Sequence, residues 1–246
     1  MNEKNGKGTI EKNGRPRLAP VYYEGVGPGV RGRLGKASPP VPGPRGRGFL
    51  DDYSFFAEAL LSLAAYAEWA EPGAGLGALY TARAKSLVAS IRSHFRDAAQ
   101  LGYFFTADDH ETLAVRKKEW WDNAIPSGHA ALANVLTGLS ALTGEAAYAT
   151  ELAELKTGYS GLATRAPTGV AHALAAFTWD ALGVAVLKIK GPCDWDALRA
   201  TLAARPYRPL FLVSTDDPVQ PAGMQLCVGT QCLETTNDLA VLAEKV

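Results

Sequence analysis

The spacing of apolar residues between Phe49 and Leu182 limits the fold of this chain more than any other feature. Residues that recur at i, i+4, i+7 and i+11 lie on one face of an α-helix. Two such runs flank the break EPGAGLG and predict an αα-hairpin. The predicted inward residues are Phe56, Leu60, Leu63 and Ala67 in the first helix and Tyr80, Ala84, Leu87, Ile91 and Phe95 in the second. Asp51 is placed to cap the first helix, because its carboxylate can accept a hydrogen bond from a free N–H of the opening turn.

Three further helices follow at short intervals. A third is predicted from about Ser127 to Leu142, where TGE ends it and begins the fourth. The fifth begins at Pro167, a residue type favoured at the first helical position. The inward residues are Leu132, Val135, Leu136, Leu139 and Leu142 in the third helix, Tyr148, Leu152, Leu155 and Tyr159 in the fourth, and Val170, Leu174, Phe177 and Ala181 in the fifth. Between the second and third helices, LGYFFTADDHETLAVR predicts two short strands joined by a polar turn.

After Gly183 the helical period gives way to three runs typical of strands, VAVLKIKG, PLFLVST and MQLCVGTQC. A helix is predicted near Trp195 to Ala204, and a terminal helix begins at Asn237. Strand, helix, strand is the order of a βαβ unit, so residues 183–246 predict a small α/β segment beside the helices of residues 49–182. No glycine-rich phosphate fingerprint follows any of these strands, and we therefore expect no nucleotide cofactor.

Residues 1–48 differ in composition from the rest of the chain. They hold eleven of the 25 glycines and seven of the fifteen prolines and show no apolar face, which predicts a flexible segment. Arginine and glycine invite a nucleic-acid interpretation, yet beyond Tyr22 and Tyr23 there are no aromatic residues on which bases could stack, so we favour a linker or terminus. No long apolar run predicts a membrane span or a secretory signal, and we expect the cytoplasm.

Three segments carry a resemblance to a known family: GFLDDYSFFAEALL, GYFFTADDHETLAVRKKEWWDNAIPSGHAALANVLTGLSALTG and LCVGTQC, in that order. The chain resembles the spermatogenesis-associated protein 20 family, large thioredoxin-domain-containing proteins whose main body is similar to the α-toroid of sugar epimerases and six-hairpin glycosidases. The resemblance implies a mainly α fold, part of an α/α toroid with a small α/β segment at the carboxyl end. A full toroid needs about a dozen helices, so this chain matches the carboxyl-terminal portion of the family's body.

Two departures from the family bear on chemistry. The Cys-x-x-Cys pair of its thioredoxin-like domain is absent from the sequence, so no redox activity is implied. The family usually has asparagine and glycine where this sequence has His129 and Asn123, respectively.

The resemblance also implies where a ligand would bind. Inner helices of α-toroids point their amino-terminal ends into a central cleft, which selects the residues at the helix starts. The predicted catalytic residues are Asp52, Asp122 and His129, and the predicted substrate-binding residues are Tyr53, Trp120, Trp121, Asn123 and Ser127. Two carboxylates across a cleft suit acid and base roles in glycoside cleavage. Histidine suits proton abstraction beside a sugar carbonyl, with His172 as a second candidate.

A structural alternative stands beside each of these roles. Asp51 could serve only as a helix cap, one of the two adjacent tryptophans could belong to the core, and His129 could be a hydrogen-bonded structural histidine. Asp108, Asp109, His110 and Glu111 are adjacent on a turn and point in different directions, so we predict a solvated turn and no metal site. Cys227 and Cys232 lie in CVGTQC, whose spacing favours structural thiols over a labile disulfide.

Two hypotheses of function follow. The first is a carbohydrate-active protein resembling sugar 2-epimerases and glycosidases, with a carbohydrate ligand. The second is a non-catalytic interaction or scaffold domain that keeps the toroid shape. An incomplete toroid leaves apolar helix faces uncovered, which predicts a homo-oligomer or a partner that supplies the amino-terminal toroid portion.

Overall fold

The computed structural model describes residues 9–12, 15–18, 48–204, 209–229 and 231–245 of the 246-residue chain. These residues form a mainly α-helical fold with a small mixed sheet toward the carboxyl end. The helices are α1 Leu50–Ala70, α2 Leu76–His94, α3 Gly128–Thr143, α4 Ala146–Arg165, α5 Ala171–Leu182, α6 Trp195–Ala203 and α7 Leu239–Lys245. The strands are β1 Thr9–Lys12, β2 Arg15–Leu18, β3 Ala185–Lys190, β4 Leu210–Ser214, β5 Gly223–Val228 and β6 Gln231–Cys232.

Helices α1 and α2 form the predicted hairpin, and two of the four residues predicted to face inward from α1, Leu60 and Ala67, are buried. Phe56 and Leu63, predicted to be buried, are 47% and 48% exposed. The buried residues of α1 include Tyr53, Ala57, Leu60, Leu61, Ala64 and Ala67. Helix α2 approaches this face closely, since a Cβ on Gly77 would lie 3.5 Å from the Ala64 carbonyl oxygen. The inward face predicted for α2 is correct from Ala84 to Phe95.

Helix α3 lies at the centre of the helical part and contacts α1, α4 and α5. From Gly128 to Leu139 every residue except Asn134 is buried, which is typical of a helix enclosed on all sides. Ser127 caps its start, because its Oγ accepts a hydrogen bond from the Ala130 N–H at 3.2 Å. Gly144 ends it with the left-handed φ of 67° that glycine tolerates.

Helices α4 and α5 complete the helical part. The inward residues predicted for α4, from Tyr148 to Tyr159, are all buried. Helix α5 starts later than predicted, because Pro167–Val170 forms a 3-10 turn before Ala171. Its buried residues are the small Ala173 and Ala176, whereas Ala181 is exposed. The inward face predicted for this helix is therefore wrong at its carboxyl end.

The segment between α2 and α3 contains no strand over residues 101–116, all of which the structure describes. Only a single bridge pairs Arg96 with Tyr103. Isolated backbone hydrogen bonds hold the segment instead, such as Leu50 N–H to Phe105 O at 2.9 Å and Phe105 N–H to Lys117 O at 2.8 Å. The two predicted strands are wrong. The backbone groups of each stretch make isolated hydrogen bonds to different segments and not the continuous ladder of a strand pair.

The carboxyl-terminal sheet has the order β4-β3-β5-β6. Strands β3 and β4 are parallel and joined through α6, which confirms the predicted βαβ unit, and β5 runs antiparallel to β3. Leu187 of β3 packs with α6 and α7, whereas its neighbour Val186 joins the core of the helical part. Cys227 and Cys232 face each other across β5 and β6 and form a disulfide, so the prediction of free thiols is wrong.

The predicted flexible segment, residues 1–48, lies largely outside the described residues. Within it, β1 and β2 form an antiparallel pair, and β2 lies against α2. Among the helices that the structure describes, none combines the length and the apolar character needed to cross a bilayer.

Candidate functional site

The first turns of α1, α3 and α5 meet at one end of the helical part. Asp122 links two of them: its Oδ1 accepts a hydrogen bond from Ser127 N–H and its Oδ2 accepts one from His172 N–H, both at 3.0 Å. The starts of α1 and α3 touch directly, since a Cβ on Gly128 would overlap Asp51 Oδ1. The structure thus brings together the helix starts at which the sequence predicts ligand-binding residues.

The two carboxylates predicted as acid and base bind backbone groups. Asp52 Oδ2 accepts a hydrogen bond from Phe49 N–H at 2.8 Å, so Asp52 caps α1 and the cap predicted at Asp51 is wrong. The reason is register: α1 begins at Leu50, and the third helical residue reaches back to the residue before the helix. Both carboxylate oxygens of Asp122 accept hydrogen bonds at helix starts, those of α3 and α5. Neither geometry lends support to the catalytic roles, which stay predictions.

His129 is buried inside α3 with both ring nitrogens engaged. Nδ1 lies 2.7 Å from the Glu119 carbonyl oxygen, and Nε2 lies 2.8 Å from the Tyr103 backbone nitrogen. A proton on Nδ1 satisfies both contacts, because the carbonyl accepts and the backbone N–H donates to Nε2. Burial lowers the pKa of His129 to about 4. Neither nitrogen of this neutral imidazole is free to accept a proton from a substrate. His129 therefore fits the alternative role of a hydrogen-bonded structural histidine.

Trp120 is partly buried and packs against the core of the helical part. Its ring stacks on His129 with a centroid distance of 4.1 Å and meets the Tyr159 ring edge-on at 5.0 Å. A Cβ on Gly102 or Gly158 would lie 2.5 Å from the indole, so both glycines are needed to accommodate it. Tyr53 and Ser127 are fully covered: Tyr53 packs on Phe95 at a ring-centroid distance of 5.1 Å, and Ser127 Oγ lies 3.0 Å from Tyr159 Oη.

Trp121 and Asn123 are the predicted substrate-binding residues with exposed side chains. Trp121 is 42% exposed and covers Gly169, where a Cβ would lie 2.9 Å from the indole. The Asp122 N–H donates to Gly169 O at 2.8 Å and keeps the segment against the turn before α5. The exposed side chains of Trp121 and Asn123 form a small surface patch at the helix starts.

A larger concavity runs between α1, α3, α5 and β4, with a volume of about 650 Å³. We call it the inner groove. The helices contribute three aromatic residues to its wall, and its polar groups include Glu58 and Asn134. The aromatic residues are Tyr66 and Trp69 of α1 and Trp179 of α5. Phe211 and Leu212 of β4 add an apolar surface.

Glu58 in the inner groove is paired with His172. The carboxylate Oε1 lies 3.0 Å from the imidazole Nε2, and this hydrogen bond raises the pKa of His172 above its ordinary value. The backbone of His172 is fixed on both sides, because its N–H donates to Asp122 and its carbonyl accepts from Asn134 Nδ2 at 3.4 Å. The groove therefore has an oriented acid–base pair at its polar end.

Sequence reasoning selected His172 only as a second candidate and missed Glu58. A signal for the groove exists in α1, where Glu58, Ser62, Ala65, Tyr66 and Trp69 follow the spacing of one helical face. A stripe that combines a carboxylate with two aromatic residues is unusual for a core-facing surface. It would have indicated a groove wall.

The predicted solvated turn has one contact that the sequence did not indicate. His94, the last residue of α2, lies with Nδ1 2.8 Å from Asp108 Oδ1. The ligand atoms of His94, Asp108 and Asp109 all lie within 4.8 Å of one another. His110 Nε2 lies 3.2 Å from Gly48 O and so points elsewhere, and Glu111 is exposed. The turn is thus tied to the end of α2 through the His94–Asp108 pair.

No family model matches the chain, and no curated protein matches it. The resemblance to the spermatogenesis-associated protein 20 family therefore stays a hypothesis. The side chains that line the inner groove are what supports a function.

Proposed function

We propose that the inner groove binds a carbohydrate and that the chain is a carbohydrate-active α-toroid protein, similar to sugar 2-epimerases and glycosidases. One observation carries this proposal: four aromatic side chains, counting Phe211 of β4, and a carboxylate line the same groove. Aromatic faces stack on the apolar faces of sugar rings, and carboxylate and amide groups hydrogen-bond to hydroxyls. In this proposal the groove is the inner cleft of a partial toroid, with α1, α3 and α5 as inner helices.

The size and lining of the groove suit a small sugar. A volume of about 650 Å³ lies within the range of small-molecule sites and accommodates one or two sugar rings. Tyr66 is 60% exposed, so it can close over a ring that enters from solvent. The Glu58 carboxylate and the Asn134 Oδ1 supply acceptors for the hydroxyls, whereas the Asn134 Nδ2 already donates to Ala130 O and His172 O.

The Glu58–His172 pair supplies the proposed acid–base chemistry. Glu58 is the member of the pair that lines the groove, so its carboxylate takes the proton from the sugar carbon beside a carbonyl and returns it to the other face or to solvent. His172 holds the Glu58 carboxylate through Nε2 and shares the transferred proton. His172 is thus a positioning residue, in place of the catalytic set Asp52, Asp122 and His129 that the sequence suggested.

The second candidate function, a non-catalytic interaction or scaffold domain, is favoured by a different observation. Phe56, Leu63 and Tyr66 of α1 are large, apolar and exposed. In the toroid hypothesis this surface contacts either a second copy of the chain or an amino-terminal toroid portion, and the chain is an incomplete carboxyl-terminal part. Apolar residues grouped on one helix are typical of an interaction surface.

Intrinsic tryptophan fluorescence tests the sugar proposal, because two of the five tryptophans, Trp69 and Trp179, line the inner groove. We expect glucose, mannose, N-acetylglucosamine, maltose or cellobiose to quench the wild type saturably. Trp179→Phe should lose part of the signal and the double variant with Trp69→Phe most of it, because both indoles line the groove. Glu58→Gln should weaken binding about tenfold through a lost charged hydrogen bond. Trp121→Phe is the matched control, since Trp121 does not line the groove.

Two other outcomes would contradict the proposal. If Trp121→Phe abolishes the quenching and Trp179→Phe does not, the sugar binds at the helix starts and the groove proposal is wrong. Flat traces for every sugar contradict carbohydrate binding and favour the interaction domain.

Proton NMR of the same mixtures in D₂O separates binding from catalysis. An epimerase replaces the hydrogen beside the carbonyl with deuterium, and Glu58→Gln should slow that exchange about a hundredfold or more. A glycosidase releases new reducing ends from the disaccharides instead. Binding with neither reaction leaves a lectin-like domain and contradicts the enzymatic part of the proposal.

A further inference from the structure

We propose that a second cavity, separate from the inner groove, binds a small organic ammonium ion. This junction cavity has a volume of about 750 Å³ and lies between the helical part and the sheet. The loop between α1 and α2 forms one wall, and the ends of β3 and β4 form the other. The residues on which the proposal depends are Glu68, Gly73, Trp195, Ser214 and Asp216.

The central observation is a buried carboxylate with one oxygen to spare. Glu68 is only 4% exposed. Its Oε2 accepts a hydrogen bond from Ser214 Oγ at 2.6 Å and another from Gly73 N–H at 2.9 Å. Within the described residues, Oε1 accepts no hydrogen bond, and no cationic side chain pairs with Glu68. Because Glu68 lines the cavity and its Oε2 is already hydrogen-bonded, Oε1 suits a cationic donor that comes from outside the chain.

The backbone near Glu68 positions one of the two donors to its Oε2. Gly73 and Gly75 have φ values of 73° and 71°, and a Cβ at either would meet nothing within 4 Å, so conformation rather than crowding requires these glycines. The turn they form presents the Gly73 N–H to the carboxylate. On the opposite wall, Ser214 ends a parallel strand, and the carboxyl ends of parallel strands are where α/β sheets bind ligands.

Charge and aromatic surface select the class of ligand. Trp195 lines the cavity, and an indole face attracts a cation. Asp216 adds a second negative charge to the lining. The cationic Lys85 in the lining is already paired with Glu145 at 2.6 Å. The cavity is therefore unsuited to an anion and favours an amine.

The apolar lining indicates the shape of that amine. Leu142, Ile189 and Leu212 line the same cavity, so a short hydrocarbon chain can lie against them. The ammonium group donates to Glu68 Oε1 and lies near the Trp195 indole. A primary alkylamine of about four or five carbons meets these requirements, whereas a neutral alcohol of the same length satisfies only the apolar part.

Isothermal titration calorimetry with n-butylamine, and with n-butanol as its neutral counterpart, tests the proposal on the full chain. We expect saturable heat with n-butylamine and none with n-butanol. Glu68→Gln should weaken n-butylamine binding at least about tenfold. Its amide oxygen still accepts from Gly73 and Ser214, so the fold should be retained, which a thermal melt checks. Trp195→Phe should weaken binding about threefold through the smaller ring face.

The matched control is Glu58→Gln, a carboxylate of the inner groove, which should bind n-butylamine as the wild type does. Absence of saturable heat in the wild type overturns the proposal. So does equal affinity for n-butanol, which would mean that the cavity selects only for apolar surface. If Glu68→Gln unfolds, Trp195→Phe decides: unchanged binding in that variant overturns the proposal. These results do not depend on sugar binding, because the deciding variants, Glu68→Gln and Trp195→Phe, lie outside the inner groove.

Discussion

Asp51 lies where the first turn of α1 touches the first turn of α3. Burial raises the pKa of its carboxyl to about 6, and the nearby Asp52 and Glu119 carboxylates add to that shift. The Gly128 N–H and the Lys117 side chain act in the opposite direction. A charge at this contact therefore opposes folding at neutral pH.

Replacing Asp51 with asparagine should stabilise the protein at pH 7.5. The folded pKa of about 6 exceeds the unfolded value of 3.8, so the folded state takes up the proton first as the pH falls. The wild type therefore gains stability as the pH falls from about 6 to 3.8. The variant has no carboxyl group at this position and shows no such gain. We expect Asp51→Asn to raise the free energy of unfolding by about 1 kcal/mol at pH 7.5, discounted for partial exposure, and to have no effect near pH 4.

Urea denaturation of both proteins at several pH values measures this difference. The wild-type curve alone is insufficient, because His129 acts with the opposite sign. Its folded pKa of about 4 lies below the unfolded 6.5, so stability is lost as the pH falls through that window. The difference between variant and wild type cancels the His129 contribution. An Asp51→Asn effect that is constant with pH would contradict a raised Asp51 pKa.

The sequence could select residue types for these positions but not their partners. His129 is the residue type expected of a base, yet Glu119 and Tyr103 occupy both ring nitrogens. Glu58 and His172 are 114 positions apart, and no local pattern links them. Their pairing depends on how α1 and α5 are arranged around α3, which is a tertiary property.

At the scale of elements, periodicity predicts where helices lie better than which face is buried. The helices from α1 to α4 are where the spacing predicts them, because each repeats apolar residues over several turns. The buried face of α1 is offset, because the neighbouring helices decide which of two adjacent apolar stripes faces the core. Phe56 and Leu63 belong to the stripe that stays exposed. The predicted strands near Tyr103 fail because aromatic composition alone does not supply a pairing partner.

A matched pair of glycines in α4 tests the packing around Trp120. A Cβ on Gly158 would lie 2.5 Å from the Trp120 indole, whereas a Cβ on Gly161 would meet only the Arg165 side-chain end at 3.5 Å. We expect Gly158→Ala to lower the free energy of unfolding by about 1–3 kcal/mol through overpacking. Gly161→Ala should raise it by about 0.5–1 kcal/mol, because alanine favours the helix.

Thermal and urea denaturation, followed by circular dichroism, measure both variants against the wild type. Because the two substitutions add the same methyl group to the same helix, their difference reports the indole contact alone. Equal effects in the two variants would mean that Trp120 can move out of the way. That result would also reopen the interpretation of Trp120 as a mobile ligand-binding residue.

At the scale of the whole molecule, the helical part and the sheet share both a core and polar contacts. Val186 and Phe211 of the sheet belong to the core of the helices. Across the same junction, Arg199 of α6 donates from Nε and Nη2 to the Trp69 carbonyl oxygen at 3.1 and 2.9 Å. This carbonyl lies in the last turn of α1, where carbonyl groups lack intrahelical partners.

Removing the Arg199 guanidinium should therefore destabilise both parts together. Arg199→Met keeps much of the aliphatic stem but leaves the Trp69 carbonyl oxygen without its donors, and we expect a loss of about 2 kcal/mol. Urea unfolding should shift equally by circular dichroism, which reports the helices, and by fluorescence of Trp195 in a variant whose other tryptophans are phenylalanine. Arg165→Met, at the exposed end of α4, is the control and should change stability by less than about 0.5 kcal/mol. If only the Trp195 transition moves, the sheet unfolds independently of the helices, and the junction cavity between them cannot be a rigid site.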